Sequence, residues 1–363
     1  MIKLDGSYGE GGGALVRTAL AISTLTGKPF EVDNIRAGKP VGGLKAQHLH
    51  AIKALKQICG AKTSEIELRT KEFWFHPGKI KRGIYEIDIG TAGSITLLLQ
   101  ALILPCLFAP GKVTLKIKGG TCGKWQASVD YLQNVLLPHL QKFVDKIELK
   151  VLKRGYYPKG GGEVQLEINP RFKIQEYENF EQFNEDLRLR TAKVNLVEQG
   201  TLEQVRGNVN VSAELEEKEI AERVKRAAEY SLKEFEVPIN IRIEYKNTLS
   251  VGGEIVLWAL FSQGGKMNPD HPTILGADCL IEKGKSSEEI GKEVATKLKL
   301  EINGKEPVDR HLSDQLIPFI SLLPGSEIST REVSKHTLTN IYVIEQFLDL
   351  GFKIEGNKIQ VIE

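Results

Sequence analysis

Apolar residues recur at helical spacing over residues 14–26, where Leu15, Ala19 and Ile22 share a face, and short apolar runs lie on either side at 2–5 and 30–34. The predicted order is strand 2–5, glycine loop 6–13, helix 14–26, Gly27-Lys28-Pro29 and strand 30–34. A second helix over 43–59 and two strand-like runs, 64–69 and 72–76, follow. From residue 85 the order returns: strand 85–89, loop Gly90-Thr91-Ala92-Gly93-Ser94, helix 95–108, Pro110-Gly111-Lys112 and strand 113–118. A helix at 128–143 and strands 146–152 and 163–168 complete this second unit. A third copy closes the chain, with helix 312–323, strand 326–333, helix 336–348 and strands 352–355 and 358–362. The pattern predicts an α/β (α+β) fold built on three repeated βαβαββ units.

Residues 186–303 break this pattern and are denser in charge, notably Glu214-Leu215-Glu216-Glu217-Lys218-Glu219. They read as strand 207–212, helix 218–233, strands 240–245 and 253–261, and helix 287–298. The expected division is a large catalytic domain, 1–185 and 304–363, with a smaller α/β domain, 186–303, spliced into the third repeat.

The length of 363 residues, with 41% hydrophobic and 26% charged, suits a globular chain of two domains. No run is long enough to span a bilayer and the first residues are not a signal peptide, so a soluble, cytoplasmic protein is expected. Cys59, Cys106, Cys122 and Cys279 are scattered, which indicates neither a disulfide framework nor a structural zinc. A net charge of +2 does not announce a nucleic-acid binder, although lysines and arginines cluster at 39–45 and 146–159.

Candidate chemistry begins in the loop Gly6-Ser7-Tyr8-Gly9-Glu10-Gly11-Gly12-Gly13, which runs from a strand into a helix and so aims free backbone N–H groups at an anion. It lacks the Gly-Lys-Ser/Thr ending of a P-loop. Glu10 could hold Mg²⁺ between nucleotide oxygens, or serve only as an acid favoured by the helix dipole. Arg17, Arg36, Lys39, Gln47 and His48 gather cationic and amide donors suited to phosphate, or to plain solvation. His336 opens a helix, where the positive end keeps an imidazole neutral and able to attack phosphorus; a capping histidine is the other reading. The stretch Arg154-Gly155-Tyr156-Tyr157-Pro158-Lys159-Gly160-Gly161-Gly162-Glu163-Val164 places three glycines before a strand, as a hairpin turn or a close backbone approach.

That stretch resembles the diagnostic segment of the RNA 3′-terminal phosphate cyclase family. So do Asp5-Gly6 with Gly9-Glu10-Gly11-Gly12-Gly13, Ile35-Arg36-Ala37-Gly38, Gln47-His48-Leu49, Asp314-Gln315-Leu316 and His336-Thr337-Leu338-Thr339-Asn340, over nearly the whole chain. The resemblance implies three repeats with an inserted domain, and ATP-dependent conversion of an RNA 3′-phosphate to a 2′,3′-cyclic phosphate. It makes His336 the nucleophile that takes AMP and Glu10 the ligand of Mg²⁺ or Mn²⁺. Gln100, His311, Asp314 and Gln315 would line the nucleotide pocket, while Arg17, Arg36, Lys39, Gln47 and His48 would meet phosphate and RNA 3′ ends. Two departures stand out. Lys39 replaces the family's usual arginine, and Cys122 and Ala127 replace an aspartate and a proline in the loop 119–127. Trp125 or Tyr131 is then the candidate to stack on adenine, with a core position the alternative for either. Rival expectations are a non-catalytic cyclase-like protein of RNA processing, an enolpyruvyl-transferase-like enzyme of the same fold, and an RNA-binding module without turnover.

Overall fold

The computed structural model describes every residue of the chain except Glu10, Gly11 and Trp125. The first layer is built from β1 (Ile2–Asp5), α1 (Gly13–Thr26), β2 (Phe30–Asp33), α2 (Ala46–Cys59), β3 (Lys62–Thr63) and β4 (Phe73–His76). Its sheet runs β1-β2-β4-β3, with β1 and β2 parallel and the other pairs antiparallel. The parallel pair requires a crossover, which α1 supplies before Gly27, at φ 73°, ends the helix in the left-handed region.

The second layer comprises β5 (Gly83–Asp88), α3 (Ile95–Cys106), β6 (Val113–Gly119), the short helices α4 (Val129–Tyr131) and α5 (Leu137–Leu140), β7 (Val144–Lys153) and β8 (Gly162–Pro170). Its order, β5-β6-β8-β7, repeats the first sheet's senses strand for strand. The continuous helix expected over 128–143 is instead α4, a π-helical stretch, α5 and a 3₁₀ turn. Pro138, which has no N–H to give, falls in the first turn of α5.

After α6 (Phe180–Arg190) and β9 (Asn195–Leu196) the chain enters a separate core. This contains β10 (Thr201–Ser212), α7 (Ile220–Leu232), β11 (Ile239–Lys246), β12 (Gly253–Ser262), β13 (Thr273–Leu280) and α8 (Ser287–Gly304), with sheet order β11-β10-β12-β13. The chain returns through α9 (Arg310–Ile320), β14 (Glu327–Ser329), α10 (Lys335–Phe347), β15 (Gly351–Glu355) and β16 (Lys358–Ile362). The last sheet runs β9-β14-β16-β15, again one parallel pair followed by two antiparallel ones.

Two cores result. The larger takes Leu15, Leu20, Leu98 and Ile344 from α1, α3 and α10, and the smaller takes Val205, Val224, Leu257 and Val294. β12 is buried throughout because its faces serve different cores: Ile255, Leu257 and Ala259 point into the smaller, Val256, Trp258 and Leu260 into the larger. This explains a strand with no polar alternation from Ile255 to Phe261.

Three expectations shift. Residues 64–69 form no strand, the partner of β4 being the two-residue β3. β13 and α6 were not anticipated. The expected boundary at 186 precedes the point where the chain leaves the larger core, because Leu187, Val194 and Leu196 are buried there and β9 pairs with β14. No described helix is long and apolar enough to cross a membrane.

Candidate active site

Two helix N-termini meet at the chain's first glycine loop. α10 begins under a Ser334 cap, whose hydroxyl accepts from Thr337 N at 3.0 Å, so His336 occupies the second position of the helix and is exposed. α1 begins after its N-cap Gly12, and among the described residues no side chain caps it, which leaves its first N–H groups available to a ligand. A Cβ placed on Gly12 would lie 3.9 Å from His336 Cε1, and one on Gly9 would lie 2.6 Å from Thr339 Oγ1. The glycines are therefore what allow this loop to lie flat along α10. Buried hydrogen bonds fix the arrangement: Thr18 Oγ1 donates to Asn340 Oδ1 at 2.8 Å, and Asn340 Nδ2 donates to the Asp314 carbonyl at 2.7 Å. Glu10, the expected metal ligand, lies outside the described residues.

A cluster of cations stands beside α1. Arg17 on α1 is 9% exposed and donates from Nε to Gln100 Oε1 on α3 at 2.8 Å. Arg36, at φ 58° in the turn after β2, is also buried, and its Nη1 has no hydrogen-bond partner among the described residues. His48, in the first turn of α2, accepts at Nδ1 from Lys45 N at 3.0 Å. Its proton therefore resides on Nε2, a buried atom unpartnered among the described residues, which sits where a Gly13 side chain would otherwise be. Among the described residues no carboxylate forms an ion pair with Arg17, Arg36 or Lys45. Buried like charges raise one another's cost. Burial lowers Arg17 to about 10, against the pull of Asp314 and with Arg36 adding to the effect, and holds His48 well below its ordinary value, helped by Arg17, Arg36 and Lys45. A pocket of unneutralised donors beside an open helix N-terminus is complementary to phosphate. Lys39 is half-buried in the same turn as Arg36, and Gln47 in the first turn of α2.

The other side of the cluster belongs to α9. Asp309 caps it, accepting from His311 N at 2.9 Å and Leu312 N at 3.0 Å while also binding the Tyr131 hydroxyl at 2.7 Å and Gly276 N at 2.8 Å. These four donors fix His311, which lines a cavity of about 430 Å³ together with Gln126, Lys124, Glu254 and Asp278. Gln315 Nε2 reaches back to the His311 carbonyl at 2.9 Å. One turn along α9, burial pushes the Asp314 carboxyl up to about 7 against the opposing pull of His311 and Arg17. Tyr131 is not on the cavity wall. It is 0% exposed, its hydroxyl is spent on Asp309 and its ring packs against Gly276, so it supports His311 from behind, with ring centres 6.2 Å apart. It cannot stack on adenine without leaving the core. Trp125, the other stacking candidate, lies outside the described residues.

The sequence did not single out Arg154 as anything but the start of a glycine motif. Its guanidinium binds Asp130 from Nη1 and, at 3.2 Å, from Nη2, and reaches Glu254 at 3.4 Å and Glu244 at 3.3 Å. Asp130 belongs to the second layer and the two glutamates to the smaller core, so this buried network joins the two. The following hairpin closes between β7 and β8. Gly160 and Gly161, at φ 69° and 77°, pass close to Thr91 O and Leu249 respectively. The glycines are needed for conformation and for space, and none lies against His336 in the described contacts.

Comparison with known proteins shows the family. The family model for RNA 3′-terminal phosphate cyclase matches residues 8–354. An RNA 3′-terminal phosphate cyclase of Pyrococcus furiosus is 41% identical over 358 residues, covering 98% of this chain and 96% of that protein. One from Archaeoglobus fulgidus is 40% identical over 361 residues, 99% of each chain, and one from Methanopyrus kandleri is 39% identical over 364 residues, 99% and 96%. With its motifs, its paired helix N-termini and these relatives in agreement, the chain belongs to the RNA 3′-terminal phosphate cyclase family.

Proposed function

We propose that the protein is an ATP-dependent RNA 3′-terminal phosphate cyclase working through a covalent histidine–AMP intermediate. The observation that carries this is the approach of the α1 N-terminus to His336, within a Cβ contact of 3.9 Å at Gly12, beside Arg17 and Arg36, which pair with no carboxylate among the described residues, and the neutral His48. In the first step the His336 imidazole attacks the α-phosphorus of ATP, and the bond to the β-phosphate oxygen breaks to release pyrophosphate. An oxygen of the RNA 3′-phosphate then displaces the imidazole from phosphorus, giving an anhydride. The neighbouring 2′-hydroxyl finally attacks the 3′-phosphorus, losing its proton as AMP departs, and the ring closes. The last step gains from an intramolecular nucleophile held in place, and the cations neutralise phosphate charge at each stage.

In this reading Gln100, His311, Asp314 and Gln315 face the nucleotide, and Arg17, Arg36, Lys39, Gln47 and His48 face the RNA phosphate. Glu10, with the phosphates of ATP, would hold Mg²⁺ or Mn²⁺, as the resemblance implies. Such an ion would supply charge neutralisation on the phosphates. The three like sheets are read as copies of one βαβαββ unit, with the smaller domain inserted in the third, and the reaction as a cytoplasmic one.

Incubation with ATP labelled at the α-phosphate tests the route. Label should remain on the protein through an acid-labile, alkali-stable bond, discharge on addition of RNA with a 3′-phosphate, and be absent from His336→Ala. Label that survives this substitution overturns the assignment of the nucleophile.

A further inference from the structure

The loop that meets His336 carries one aromatic side chain, and it faces out. Tyr8 is 42% exposed, although one face of its ring is covered by Tyr342, with centroids 3.9 Å apart and planes 14° from parallel. Tyr342 is itself held, its hydroxyl lying 3.4 Å from Asp5 N at the end of β1. The loop then runs back along α10 towards the helix N-terminus: Tyr8 lies on Tyr342, Gly9 on Thr339 and Gly12 beside His336. Six residues of helix separate His336 from Tyr342, an axial distance of roughly 9 Å. A stacked tyrosine pair is therefore built into the same loop whose other end borders the reactive histidine.

An exposed aromatic ring is usually of no consequence, but this one has three properties of a stacking platform. It is backed by a second ring, so little entropy is lost when another ring settles on its free face. It is continuous with a site whose cations suit a terminal phosphate. Asp5, at the base of the loop, is already occupied by Ser7 N at 2.9 Å, Ser7 Oγ at 2.7 Å and Asn34 Nδ2 at 3.4 Å, so it is satisfied without the ligand. Every nucleobase offers a flat π face, and stacking on aromatic rings holds single strands without regard to sequence.

We propose that Tyr8, supported by Tyr342, stacks on a nucleobase in the last two nucleotides of the RNA and so places its 3′-phosphate near the cation cluster. This rests on the cyclase reading above, and it assigns the enzyme a means of gripping any RNA end by its base. Tyr8 is a positioning residue here, since it touches the substrate away from the reacting atoms.

The test is equilibrium binding of a fluorescent oligoribonucleotide with a 3′-phosphate, compared with the same strand made abasic at its last two positions. The unsubstituted protein should bind the base-bearing strand about tenfold more tightly. Tyr8→Ala should bind both strands equally, and Tyr8→Trp should restore the preference. Equal binding of the two strands by the unsubstituted protein overturns the proposal, as does a preference that persists in Tyr8→Ala. Tyr8→Ala should melt with the parent and keep the parent's affinity for the abasic strand, which separates loss of stacking from collapse of the loop. Because binding is read without turnover, a protein that takes no label would count against the cyclase reading while this comparison still decides the role of Tyr8.

Discussion

Gly13 and His48 share one space: a Cβ on Gly13 would fall 2.3 Å from His48 Nε2 and 2.8 Å from Arg17 Nη1. Gly13 is the first residue of α1, where alanine would be favoured by about 1 kcal/mol on helix propensity alone. Gly13→Ala should therefore fold with close to normal stability while pushing His48 and Arg17 aside. We expect cyclisation of an RNA 3′-phosphate to fall about a hundredfold, as misplacement by an ångström does elsewhere. Steady-state turnover beside a thermal melt checks this, and normal turnover with a normal melt would remove His48 from the phosphate site.

Asp314 gives a pH dependence whose sign can be worked out. Burial raises its carboxyl from the usual 3.8 to about 7, so between those values the folded protein holds a proton that the unfolded chain has released. Stability therefore falls as pH rises through this window, and above about 7 the full penalty remains. Asp314→Asn should melt higher than the parent at pH 8, by on the order of 2 kcal/mol, and match it near pH 4. Melts over that range decide the matter, and parallel curves for the two proteins would contradict it.

Arg154 is shared by two buried acids, Asp130 and Glu254, both 1% exposed; burial and Asp130 push the Glu254 carboxyl well above its ordinary value, so the arginine's charge is matched chiefly by Asp130. Arg154→Met takes the cation from both and leaves Asp130 only amide donors such as Asn208 Nδ2 at 2.9 Å, and should cost about 3–5 kcal/mol. Denaturant unfolding measures this directly. Because the network joins the two cores, the loss should also separate their transitions, seen as a broadened or biphasic curve. A single sharp transition at the parent's midpoint would show the network to be dispensable.

Much of the fold could be read from periodicity because α1, α3 and α10 bury continuous apolar faces and their strands are bounded by glycine or proline. What escaped follows from physical limits on that reading. β3 and β9 have two residues each, too few to show alternation. β13 lay behind the apolar run of β12, and only the existence of two cores explains why both are buried. In the site, His336, Arg17, Arg36 and His48 were legible as residue types at loop and helix starts, but their convergence was not. Nothing local in Thr18 predicts a bond to Asn340, 322 positions away. Tyr131 misled for the opposite reason. An aromatic side chain next to a suspected base pocket has the same sequence signature whether it forms the wall or lies beneath it, and only the Asp309 contact tells which.

The bond between Thr18 and Asn340 has a consequence for how the protein comes into being. The helix that opens on the proposed phosphate site is made long before the one bearing His336, the two bonded residues lying 322 positions apart. Until α10 is made, the cation cluster lacks the histidine that the proposed route requires. On that route no product ending before α10 could take AMP from ATP, and the closing contact spans 322 positions, so its formation should be slow and should come late in folding. Assembly of the large core and assembly of the catalyst are one event.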